Sequence, residues 1–153
     1  DHLYQAHGLE MLFLLMQPDK DREATRQVRE RMSTPSYVLD APCTPRELMG
    51  VLGKAKLCLA MRLHTLIFAA RMAVPCIGLV YDPKVESYLQ ELDMPSAGHV
   101  ERFDREEAIA CADRMMADYE GNLVRLRQKS EALAKAALRN EELLLELLKQ
   151  TKG

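Results

Sequence analysis

The sequence has no tryptophan, only three phenylalanines and five tyrosines, and no surplus of basic residues: 21 lysines and arginines stand against 23 aspartates and glutamates. Nucleic-acid binding draws on positive charge for phosphates and on aromatic platforms for bases, so a nucleic-acid partner is not expected. No apolar run approaches the roughly 18 residues of a membrane helix, which argues against an integral span. Asp1-His2-Leu3-Tyr4 has neither the basic region nor the apolar stretch of a secretory signal. Glycine-rich phosphate loops (G-x-G-x-x-G, G-x-x-x-x-G-K-[ST]) are missing, as is a G-x-S-x-G elbow. No histidine pair has metal-ligand spacing, and His2, His7 and His99 read as solvated, the last in a loop. Neither a metal nor a cofactor is therefore expected. Cys43, Cys58, Cys76 and Cys111 are scattered without a C-x-x-C pair and read as reduced packing residues, which sets a reducing, cytoplasmic environment as the default.

What is present is an ordinary globular composition, 48% hydrophobic and 29% charged over 153 residues, enough for one α/β domain. Residues 1–8 read as the end of a helix closed by Gly8, so the chain is expected to be a piece of something longer. Leu9 to Met16 is a continuous apolar run, as in a strand buried on both faces. A charged helix from Asp21 to Met32 follows, with Val28 and Met32 inward, then a brief strand, Tyr37 to Leu39. Thr44-Pro45-Arg46-Glu47 has the N-cap, first-position proline and third-position glutamate of a helix start, and that helix closes near Gly53. Lys56 to Ala60 reads as a strand and Leu63 to Ala73 as a buried helix. Val74 to Tyr81 is the next strand, and Asp82-Pro83 opens a helix to about Leu92. Strand and helix in alternation predict one parallel sheet with helices on both faces. Residues 1–103 form that α/β core, and 104–149 a helical tail opened by the capping sequence Asp104-Arg105-Glu106-Glu107. Tyr119, Leu123, Leu126, Leu133, Leu144 and Leu147 space themselves either as the inner stripe of packed helices or as a homodimer seam.

In open parallel sheets ligands gather at the carboxyl ends of strands, against the N-termini of the following helices. The third strand delivers Arg62-Leu63-His64-Thr65 to such a corner. Free amides and the helix dipole favour an anion there. The planar guanidinium of Arg62 matches a carboxylate or phosphate, and His64 adds a group able to clamp an anion or move a proton near neutral pH. R-x-H is short, and on spacing alone the stronger reading is Arg62 as an ion-pairing residue and His64 as a solvated one. At the fourth strand's end Asp82 reads as an N-cap, Lys84 as either a second positive group or a solvated one, and Tyr81 as pocket wall or core. Gln17 and Asp40, at the first and second strand ends, read as turn residues.

Met61-Arg62-Leu63-His64-Thr65-Leu66-Ile67-Phe68-Ala69-Ala70, followed by Val74-Pro75 and Tyr81-Asp82-Pro83-Lys84-Val85, resembles the polysaccharide pyruvyltransferase family. The likeness is strongest to the bacterial type that modifies secondary cell-wall polymers anchoring surface-layer proteins. Ala60 departs from the serine or glycine that often precedes this motif. The resemblance implies the C-terminal, Rossmann-like half of a two-domain fold similar to the B-type glycosyltransferases, with the N-terminal half outside this chain. It implies phosphoenolpyruvate as donor substrate, a sugar acceptor with two hydroxyls (a lipid-linked precursor among its carriers), and a cyclic pyruvyl ketal as product. It implies Arg62 and His64 as catalytic residues, with Arg62, Leu63, His64, Thr65, Tyr81 and Lys84 around the substrate. The cytoplasmic setting expected from the cysteines is compatible with peripheral attachment at the inner membrane face. The chain alone is expected to be inactive. The rivals are a nucleotide-sugar glycosyltransferase or epimerase half, with Glu86 as the one nearby acid for a ribose, and a non-catalytic dimerising module.

Overall fold

Helix starts in this fold follow short-range chemistry. The structure, a computed structural model, describes residues 1–150. Its elements run α1 (His2–His7), β1 (Met11–Leu14), α2 (Pro18–Glu30), β2 (Ser36–Leu39), α3 (Pro45–Leu52), β3 (Cys58–Ala60), α4 (Leu63–Arg71), β4 (Cys76–Val80), α5 (Pro83–Leu92), β5 (Ser96–His99), a 3-10 turn, α6 (Arg105–Ala117) and α7 (Tyr119–Gln150). Thr44 Oγ1 accepts from the Glu47 N–H at 3.3 Å, and the Glu47 carboxylate accepts from the Thr44 N–H at 2.8 Å, completing a capping box on α3. Asp82 accepts from the Lys84 N–H at 2.9 Å to cap α5. Asp104 accepts from the N–H groups of Glu106 and Glu107 to cap α6. Gly8, at φ +67°, closes α1 in the left-handed region that a Cβ disfavours.

All strand pairs are parallel, and helices flank them. The strands do not join into the single sheet expected. Within the described residues β1 pairs only with β2, Met11 opposite Ser36 and Leu14 opposite Leu39, while β3, β4 and β5 form a separate sheet in that order. Cys58 lies opposite Cys76 across β3 and β4. β4 is the centre of the fold: Cys76, Ile77, Gly78 and Val80 are all buried, and since successive residues face opposite sides, both faces are covered. Leu66, Ala69 and Ala70 of α4, Val85, Leu89 and Leu92 of α5, Cys111 and Met115 of α6 and Leu126 of α7 complete this core. Gly78 matters here because an added Cβ would run into the Leu89 side chain, so the glycine sets how closely α5 approaches β4.

The β1–β2 unit departs from what the apolar pattern predicts. Leu12 on β1 is 45% exposed and Tyr37 on β2 53%, so neither strand is buried on both faces. α2 buries no residue, and Val28, expected inward, is exposed. α2 is tied to β2 by polar contacts, Arg22 on Asp40 (2.8 and 2.9 Å) and Arg29 on Ser36. His99 ends β5, where a loop was expected; Ser96-Ala97-Gly98-His99 lacks any apolar run that would announce a strand. His2 and His7, read as solvated, instead both hydrogen-bond to Asp113 on α6 and so dock α1 against it.

The tail is two helices. They part at Asp118, where the Asn122 side-chain amide donates to the carbonyl of Met115 at 3.1 Å and to that of Asp118 at 2.8 Å, which also accepts from the Asn122 N–H. Leu126 is fully buried and Leu133 packs on the same core, so these two positions of the supposed dimer seam are already occupied within the chain. No helix among the described residues is long and apolar enough to cross a membrane. Cys58, Cys76 and Cys111 are buried free thiols and Cys43 is partly exposed. Burial pushes the Cys58 and Cys76 thiols up to about 12.

Candidate functional site

The carboxyl ends of β1 and β3 are brought together by one side-chain contact. Arg62, the N-cap of α4, donates from Nη2 to Asp21 Oδ1 at 2.5 Å, and Asp21 sits in the first turn of α2, the helix that follows β1. The other oxygen of Asp21 accepts from the Gln17 N–H at 2.8 Å. Burial pushes the Asp21 carboxyl up, but the Arg62 guanidinium and the Gln17 N–H together outweigh it and hold the group below its usual value. The pair is largely shielded, with side-chain exposures of 29% for Arg62 and 23% for Asp21. Asp21 therefore orients the guanidinium and offsets its charge. It occupies one of the five N–H donors that an arginine carries.

Behind Arg62, the first turn of α4 is left open. The N–H groups of Thr65 and Leu66 both turn back to the Arg62 carbonyl, at 3.0 and 3.3 Å. Those of Leu63 and His64 have no acceptor among the described residues, and no side chain caps this helix. α3, α5 and α6 each have a side-chain oxygen at the equivalent place. A helix start without its own acceptor, at the positive end of the dipole, favours an external anion. His64 is exposed on this turn, and its side chain makes no hydrogen bond among the described residues. Leu63 is partly buried against the core, and Thr65, at 7% exposure, belongs to the helix wall.

Tyr81 and Lys84 form a separate group at the start of α5. Lys84 Nζ is 3.2 Å from Asp82 Oδ2 and 5.8 Å from the centre of the exposed Tyr81 ring. The Asp82 carboxylate raises the Lys84 ammonium above its ordinary value, so this charge too is partly answered locally. Among the described residues, no hydrogen bond or ion pair links this group to Arg62 or His64. Nor does either of two surface depressions reach them. One of about 550 Å³ lies between α2 and β2, lined by Arg22, Arg26, Arg29 and Asp40 among others. The second, about 380 Å³, lies at the α6–α7 corner. Arg62 and His64 thus lie on an open strand-end surface. Asp21 is a site residue that no sequence motif announced. An acid in the first turn after a neighbouring strand was the available signal, 41 positions from its partner.

The chain is thus a parallel α/β protein whose uncapped helix start carries an arginine and a histidine at the strand ends, the place where open parallel sheets take their ligands. The family model for polysaccharide pyruvyl transferase matches residues 1–83, more than half of the 153, and the chain belongs to that family. The match takes in Asp21, Arg62, His64 and Tyr81 and stops one residue before Lys84. No curated protein and no solved structure matches the chain.

Proposed function

We propose that this chain binds phosphoenolpyruvate at the start of α4 and takes part in transferring its pyruvyl group to a sugar of a cell-wall polysaccharide or its precursor. The observation that carries the reading is the pair of unanswered amides of Leu63 and His64 beside the Arg62 guanidinium, in a chain of the polysaccharide pyruvyl transferase family. The donor has a carboxylate and a phosphate, which suit a planar guanidinium and preorganised N–H groups. In the reaction a proton adds to the donor's methylene carbon, and positive character develops at the central carbon. Two sugar hydroxyls then form C–O bonds there as the bond to phosphate breaks. Of the two hydroxyl protons released, one balances the new methyl group and one leaves with phosphate. Arg62, held by Asp21, fixes the donor anion, and His64 carries a proton. Tyr81 and Lys84, the separate group at the β4–α5 turn, are assigned to the substrate as well. No cofactor or metal enters this scheme.

In this reading the chain is the C-terminal, Rossmann-like half of a fold like that of the B-type glycosyltransferases. A second domain faces the open surface around Arg62, and the isolated chain does not turn over. The whole enzyme works in the cytoplasm on a lipid-linked or polymer-borne acceptor. The test is phosphate release by the whole enzyme with donor and acceptor. Arg62→Ala is expected to raise the donor KM about tenfold or more, as a lost charged hydrogen bond would. His64→Ala is expected to lower kcat about a hundredfold, in the range of a lost proton-transfer group. Near-normal constants in both variants would overturn the reading.

A further inference from the structure

His2 and His7 come from opposite ends of α1, and each directs Nε2 at the same carboxylate oxygen, Oδ1 of Asp113 in the middle of α6, at 2.7 Å. The two rings meet edge to face, 5.9 Å between centres at 79°. The three donor atoms lie within 4.8 Å of one another. The side chains are partly exposed, 35% for His2, 22% for His7 and 43% for Asp113, so the point on which they converge is open to solvent on one side. α1 is fixed from its other flank, where the Asp1 carboxylate accepts from the N–H groups of Ser33 and Thr34 and from the Thr34 hydroxyl. The ligands are thus preorganised by contacts that do not involve them.

Two imidazoles that converge on one carboxylate oxygen present the donor set of a borderline divalent ion. We propose that His2, His7 and Asp113 form a binding site for a divalent transition ion of the zinc class, through Nε2 of each histidine and Oδ1 of the aspartate. Imidazole and carboxylate are the ligands such ions take, with metal–ligand distances of about 2.0–2.2 Å. Tetrahedral coordination at that distance separates neighbouring ligand atoms by roughly 3.4 Å, so the present 2.7 Å contacts must open by about 0.7 Å. Small rotations of partly exposed side chains supply that movement. Solvent fills the fourth position. The ion clips α1 to α6 across more than a hundred residues of sequence, tightening the attachment of the chain's first helix to its core. This site is separate from the strand-end surface of Arg62, and its ion has no part in the transfer reaction.

The test uses the chain as it stands and zinc chloride as the probe. Calorimetry is expected to give about one bound ion. The melting temperature is expected to rise by about 5 °C or more at a hundredfold excess over Kd. Long-range proton–nitrogen spectra of the imidazoles decide the location without any substitution. Zinc is expected to shift Nε2 of His2 and His7 while His64 and His99 stay in place. Asp113→Asn, which keeps both histidines, is expected to weaken binding about tenfold or more, and His99→Ala to leave it unchanged. No heat and no imidazole shift, shifts confined to His64 or His99, or undiminished affinity in a folded Asp113→Asn chain would each overturn the proposal. If Asp113→Asn does not fold, the wild-type imidazole spectra alone decide between support and refutation.

Discussion

Replacing Asp21 by asparagine removes the carboxylate that receives both the Arg62 guanidinium at 2.5 Å and the Gln17 N–H at 2.8 Å. The side-chain volume hardly changes, so the effect isolates charge and hydrogen bonding. A fully exposed ion pair would contribute about 0.2–1 kcal/mol. A hydrogen bond to a charged group contributes about 1.5–3 kcal/mol. With exposures of 29% and 23% the pair lies between these limits, and a loss of about 1–2 kcal/mol follows. For a chain of this size that is a fall in Tm of about 3–6 °C. The expected consequence is more specific than a lower Tm, because no backbone pairing joins the β1–β2 sheet to the β3–β4–β5 sheet among the described residues and this contact spans the gap. Amide hydrogen exchange should therefore accelerate first in β1, β2 and α2, with β4 protected as before. The pH dependence has a defined sign. Asp21 has a lowered folded value, so its contribution is complete above the unfolded carboxyl value of about 3.9 and fades as pH falls through the folded one. The gap between wild type and Asp21→Asn should accordingly be constant from pH 5 to 7 and close in acid. An asparagine variant that melts at the wild-type temperature at pH 7, with unchanged exchange in β1 and β2, would rule out this role for the pair.

Leu126→Ala should cost about 2–5 kcal/mol, read from the urea midpoint, because the side chain is fully buried in the core. A dimer that merely dissociates, without loss of stability, would show that the position belongs to a seam between chains after all. Iodoacetamide at pH 8 should modify Cys43 first in the folded protein. Cys58 and Cys76, buried with thiols near 12, should react only on unfolding, and mass spectrometry of the early adducts checks this order.

The parts of this fold legible in the sequence are those fixed by near neighbours. Thr44, Asp82 and Asp104 cap their helices within three residues, and Gly8 closes α1 within six, so spacing alone sufficed. Arg62 was legible as a residue of the third strand's end, but its partner was not, since nothing local in Asp21 says which helix start will lie beside it. Apolar patterning misled in a consistent way. It records that a side chain suits burial and not what will cover it: Leu12 and Val28 stay exposed, while at Leu126 and Leu133 the packed-helix reading of the stripe holds. β5 escaped notice because Ser96 and Gly98 give no strand signal, and its pairing comes from β4 alongside. The convergence of His2, His7 and Asp113 spans more than a hundred positions, beyond any motif.

Everything proposed for the transfer reaction depends on the open first turn of α4 receiving the donor's anions. A titration of the chain with phosphoenolpyruvate, followed by amide chemical shifts, reads that event at the atoms concerned. Saturable movement should centre on the Leu63 and His64 amides and the Arg62 side-chain N–H groups, and Arg62→Ala should abolish it while the rest of the spectrum stays folded. Saturable movement centred elsewhere, or an unaltered response in Arg62→Ala, would mean that the donor does not bind there.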